Sequence, residues 1–211
     1  MIAVFLSLLA HAADDGLPDA AIPPALAAAE ADPHVATLEA WLSEQGAPPE
    51  EVHQVAVGMM AMEQGVAWQR GDVQLRDGAI VLRLAEGDRY APPSDTARIL
   101  EAWGNPPGKV TDGMVLPSGS HLFGPGTWAV LVHFEEEGWV DDSDAAEIDY
   151  DELLTSMQAS QEDGNQQRRE LGLEGVHITG WAEPPHYDSA SNVLYWATLL
   201  RSDEGGVTLN Y

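Results

Sequence analysis

Residues 73–84 read VQLRDGAIVLRL, and this stretch decides the fold class. Before it, apolar residues recur every three or four positions; from Gly71 onward they alternate, which is the period of a half-buried strand. Asp77-Gly78 falls between the two alternating runs, and an Asp-Gly pair there predicts a β-hairpin closed by a two-residue turn.

Upstream, the pattern is helical. Asp32-Pro33 offers an N-cap and a first-turn proline, and Val35, Leu38, Trp41 and Leu42 then line one face until Gly46. A second helix follows Pro48-Pro49, with Val52, Val55, Ala56, Met59 and Glu63 at helical spacing. Met59, Met60 and Met62 have the look of a thioether cluster for a soft metal, but core filling is the expectation, since no His or Cys recurs beside them.

Downstream, Ser94 is expected to cap a short helix carrying Thr96, Ile99, Leu100 and Trp103, closed by Gly104. GMVLP (113–117) and TWAVLVHFE (127–135) read as strands. A long helix is predicted over Tyr150–Leu171, with Asp149, Asp151 and Glu152 at its start and Arg168 and Arg169 at its end, charges that complement the helix dipole. GVHITGWAE, NVLYWATLL and VTLNY close the chain as three strands. Helices and strands in runs, without βα alternation, point to an α+β fold: a mostly antiparallel sheet with a long helix packed on it, preceded by an N-terminal helical hairpin. The expected organisation is a signal peptide at 1–12, an Ala/Pro-rich linker at 13–32, the hairpin at 33–66 and an α+β domain at 67–211.

Charge narrows the partners. The 211 residues hold 35 acidic and 9 basic side chains, a net charge of −26. Such a surface repels nucleic acid and anionic lipid. It suits cations, basic proteins or solvation alone. There is no cysteine, which removes disulfides and thiolate chemistry. Ile2–Ala10 is apolar or small, and Ala10-His11-Ala12 fits an export cleavage site, although no Lys or Arg precedes it. No segment reaches the roughly 18 apolar residues of a membrane span, so the mature chain is expected to lack a transmembrane helix.

The sequence holds no zinc-protease, nucleophile-elbow or phosphate-loop motif. GWAEPPHYD (180–188) is the best catalytic candidate: Glu183, His186 and Asp188 bring an imidazole between two carboxylates. Two fixed φ angles at Pro184-Pro185 argue instead for a rigid connection, ending one strand near Glu183 and starting the next near Asn192, with His186 satisfying backbone groups. From Glu135 to Glu152 there are ten carboxylates and no cation. Asp141, Asp142 and Asp144 there could hold calcium weakly, but the spacing lacks the glycine and terminal Glu of an EF-hand loop. No other cofactor is suggested. Trp103, Trp128, Trp139, Trp181 and Trp196 could stack on sugar. Trp128 and Trp196 sit in apolar strands and read as core, which leaves Trp139, Trp181 and Tyr187 as candidate ligand contacts.

AWQRGDVQLRDGAIVLRLAEGDRY, ILEAWGNPPG, GWVDDSDAAEIDYDELLTSMQ, GWAEPPHYD, LYWATLL and TLNY occur in the order found in a bacterial family, domain of unknown function 2167. The chain resembles that family from about Trp68 to Tyr211. The resemblance implies an exported, periplasmic or envelope protein, often membrane-anchored, without an established reaction; some members carry a label suggesting amylopullulanase regulation. The function expected is therefore a non-catalytic binding or regulatory domain whose partner is an envelope protein or glycan. The alternatives are an envelope glycan hydrolase using Glu183 with a carboxylate of the acidic run, and a calcium-tuned scaffold module. Family members usually continue past TLNY, so Val207–Tyr211 is expected to be a strand with a bare edge or an uncovered apolar face, and the chain is expected to be a fragment of a longer protein rather than one whose edge pairs with another chain.

Overall fold

The computed structural model describes residues 24–135, 138 and 148–211. The fold is α+β, and every strand pairing among these residues is antiparallel. The chain divides at Phe134/Glu135 into two compact units, so the stretch 67–211 falls across both.

The first unit begins with three helices, α1 (Pro24–Glu30), α2 (His34–Glu44) and α3 (Val52–Gln64). Part of the Ala/Pro-rich stretch is thus helical rather than linker, and Ala29 is fully buried in the core. The Asp32 carboxylate accepts the His34 N–H at 2.9 Å, fixing where α2 starts. Val35, Leu38 and Leu42 of α2 and Val55, Met59 and Met60 of α3 are buried in one cluster, so the methionines are core.

Strands β1 (Asp72–Leu75) and β2 (Ile80–Arg83) form the hairpin, with Leu75 opposite Ile80. The connection is four residues long, not two. Arg76, Asp77 and Gly78 all take left-handed φ, at 52°, 55° and 87°. Arg76 can hold that costly conformation because its guanidinium grips both oxygens of the distant Asp112, at 2.5 and 3.1 Å.

Strands β3 (Arg89–Ala91), β4 (Gly113–Leu116) and β5 (Val130–Val132) form a sheet in that order, with α4 (Pro93–Ala102) packed on β4. Ser94 is not the cap: Pro92 stands before the first helical residue, and the Thr96 hydroxyl instead donates to the Ala91 carbonyl. Ile99 and Leu100 of α4, Met114 and Leu116 of β4, and Leu122 and Phe123 beyond it complete the helical core. Only three residues of 127–135 pair as a strand, and Trp128 is 57% exposed rather than core.

In the second unit α5 (Tyr150–Glu170) has the Asp149 carboxylate accepting the Asp151 and Glu152 N–H groups, and Gly172 follows it at φ 70°. It packs on β6 (Val176–Asp188), which pairs with β7 (Val193–Ser202), which pairs with β8 (Val207–Asn210). Asn165 is fully buried and acts as a short surrogate strand. Its amide donates to the Val176 carbonyl and accepts the Val176 N–H, both at 2.9 Å. Among the described residues β8 pairs only with β7 and is exposed along its length, as an open edge requires.

Candidate functional site

The GWAEPPHYD segment is not a corner between strands. It lies wholly inside β6, which runs through both prolines to Asp188. Between the pairs Glu183–Ala197 and His186–Tyr195 the register slips, so Pro184 and Pro185 oppose the lone Trp196 in a bulge. β6 is an edge strand, where a missing donor costs no ladder bond.

This placement separates the candidate acid/base groups. Glu183 is exposed. His186 is also exposed and meets Tyr195 edge-on, at 5.8 Å between ring centres, so it does not fill a buried structural role. Asp188 closes the β6–β7 turn. The Ser191 hydroxyl (2.7 Å) and the Ala190 N–H (3.0 Å) donate to it and hold its carboxyl below the usual range. Tyr187 donates to Asn192 at 3.3 Å. Trp181 is half-buried, and its indole N–H is buried without a hydrogen-bond partner. Trp139, Asp141, Asp142 and Asp144 lie outside the described residues.

A different polar constellation is assembled in the first unit. Glu63 occupies a core-facing position of α3 and is almost fully buried. Its Oε1 accepts from Arg89 Nη2 of β3 at 2.9 Å and from His121 Nδ1 at 3.1 Å; its Oε2 accepts the Leu122 N–H at 2.8 Å. Arg89 also donates to the Ser120 carbonyl at 2.8 Å and lies over the Trp68 ring, 4.6 Å from its centre. The Trp68 indole in turn donates to the Glu63 carbonyl at 2.9 Å. A buried carboxylate needs this degree of matching to stay charged.

His121 continues the network outward. Its ring stacks on His34, the first residue of α2, with centres 3.7 Å apart and planes 12° from parallel. His34 Nε2 lies 3.2 Å from the Phe123 carbonyl. The two imidazoles line a surface cavity of about 150 Å³ together with Thr37, Ser120, Thr127, Gly119 and Gly126.

In the sequence Glu63 falls on the apolar stripe of its helix, and a carboxylate on such a stripe calls for a partner to neutralise it, which is the local signal of this network. His34 and His121 are 87 positions apart, and nothing local links them.

Residues 67–211 match the family model described as a protein of unknown function (DUF2167), and the chain belongs to that family. No curated protein and no solved structure matches the chain. The matched region begins four residues after Glu63, so Glu63 and His34 come from the helical hairpin that precedes it.

Proposed function

We propose that this family member is a non-catalytic binding or regulatory domain exported to the cell envelope, with an envelope protein or glycan as its partner. The open face of the β6–β7–β8 sheet carries this reading. Strand register sets Leu199 opposite Leu209 and Arg201 opposite Val207, and alternation along β7 brings Tyr195 and Val193 to the same face. Tyr195 is 52% exposed, and Val193, Val207, Leu209 and Tyr211 are exposed with it. Contiguous exposed apolar and aromatic side chains mark interaction surfaces more often than accidents of folding. A tyrosine beside a histidine suits a sugar face or a protein anchor equally well.

The hydrolase alternative draws less support. A glycosidase needs two carboxyls about 5 to 9 Å apart across one cleft, and Asp188, the motif's second carboxylate, is tied into its own turn. Export draws its support from the apolar run Ile2–Ala10 and the small residues at 10–12. No helix among the described residues is long and apolar enough to cross a membrane.

The test is co-sedimentation with purified cell-wall glycan and with envelope vesicles. A Tyr195→Ser, Leu209→Ser double variant should bind about tenfold more weakly, a loss of about 1.4 kcal/mol, at an unchanged melting temperature. Equal binding by the folded double variant would remove the open face from consideration.

A further inference from the structure

The His34–His121 cavity has a defined hydrogen-bonding character, because both imidazoles are fixed in one tautomer. A carbonyl only accepts, so His34 Nε2 must carry the hydrogen it shares with Phe123. The Glu63 carboxylate, already accepting from Arg89 and Leu122, likewise takes a hydrogen from His121 Nδ1. Each neutral ring is left with one bare nitrogen, Nδ1 of His34 and Nε2 of His121, and a bare imidazole nitrogen accepts. Two acceptors on rings stacked 3.7 Å apart, at a cavity also lined by Thr37, Ser120 and Thr127, call for a ligand bringing several donors.

A metal ion is a poor fit. Its bonds must converge along ring planes, and rings 12° from parallel do not converge. An ammonium group would need an unspent negative charge, but Glu63 is already shared between Arg89 and His121. An anion would meet acceptors in a chain of charge −26. An uncharged polyol meets none of these objections. We propose that the cavity binds neighbouring hydroxyls of a neutral polyol, such as a saccharide presents, through His34 Nδ1 and His121 Nε2. This site does not depend on the open sheet face, and either can fail without the other.

The experiment is a titration of the full chain with glucose, N-acetylglucosamine and methylammonium, followed by the imidazole nitrogen resonances. The expected result is a saturable, joint movement of the His34 and His121 signals with at least one saccharide, unchanged by about 0.5 M NaCl. Binding should weaken about tenfold in folded His34→Phe, which keeps a flat ring on His121 but no nitrogen. Should that variant not fold, Thr37→Val on the cavity wall is read in the same titration, with weaker binding expected. No saturable movement with either sugar, undiminished affinity in the variant read, or a response to methylammonium alone that salt abolishes would each overturn the proposal.

Discussion

Arg89 Nη2 stands 2.9 Å from Oε1 of Glu63, with the carboxylate side chain 4% exposed and the arginine 18% exposed. The pair joins α3 to β3 inside the core, and Leu122 and His121 complete the shell around the carboxylate. Removing one member of such a pair leaves the other charged and dry.

Glu63→Leu should therefore cost about 3 to 5 kcal/mol. The double change Glu63→Leu, Arg89→Met should recover much of that loss, because it removes both charges together. Urea midpoints of the two variants check this. If the double variant is no more stable than Glu63→Leu, the ion pair is not what the first substitution broke.

Gly113 is a second point of close fit. Its φ is 120°, and a Cβ there would lie 2.3 Å from the ring of Tyr90. That ring cannot retreat: it is buried, and its hydroxyl donates to the Asp112 carbonyl at 2.5 Å. Gly113→Ala should cost about 2 to 5 kcal/mol from backbone strain and overpacking. Gly119→Ala, at φ 75° with open space around it, should cost only about 1 kcal/mol. Thermal melts showing equal losses would place the cost in φ alone.

Two ionisable groups should leave opposite marks on the pH profile. Asp112 is held below the usual carboxylate range chiefly by the Arg76 guanidinium, with the Phe134 N–H adding to it. Its contribution is present above the unfolded value near 3.9 and is lost as pH falls through the lower folded value. His53 is raised chiefly by its hydrogen bond to Glu39, 2.6 Å away, with Glu30 adding to it, so it links α3 to α2 and α1. Its contribution is full below about 6.5 and is lost as pH rises through the higher folded value. Asp112→Asn should flatten the acid limb below about pH 4, and His53→Gln should flatten the decline that sets in above about pH 6.5. An acid limb unaltered by Asp112→Asn would count against the first assignment.

The periodic elements were legible because their signals are local. The helices at 34–44 and 52–64 follow apolar stripes within each segment, and the helix at 150–170 follows its Asp149 cap and its terminal charges. Contacts made at long range were not. Asp77-Gly78 has the chemistry of a two-residue turn, yet Arg76 is pulled into the loop by Asp112, 36 positions away. The two prolines read as a strand end because the sequence does not say that β6 is an edge, the one place where they cost nothing. The Glu63 network draws on residues from 34 to 123, so a carboxylate on an apolar stripe was visible in advance but its partners were not.

The second unit offers the last prediction. Asn165 is a polar residue on a helix whose other described positions are mostly exposed, yet it is the one that is fully buried. Its side chain is a peptide-like amide, and it meets Val176 as another strand would, giving one hydrogen and taking one. Val176 begins β6, so this contact sets where α5 meets the sheet. Asn165→Leu keeps most of the volume but strands both Val176 groups, at about 1 to 3 kcal/mol for each unmatched group. Asn165→Asp keeps the acceptor for the Val176 N–H and loses the donor to its carbonyl, so it should fall between wild type and leucine. Amide exchange at Val176 separates the two: protection should survive in the aspartate variant and vanish in the leucine variant. If both variants protect Val176 equally, the amide is not what holds α5 to β6.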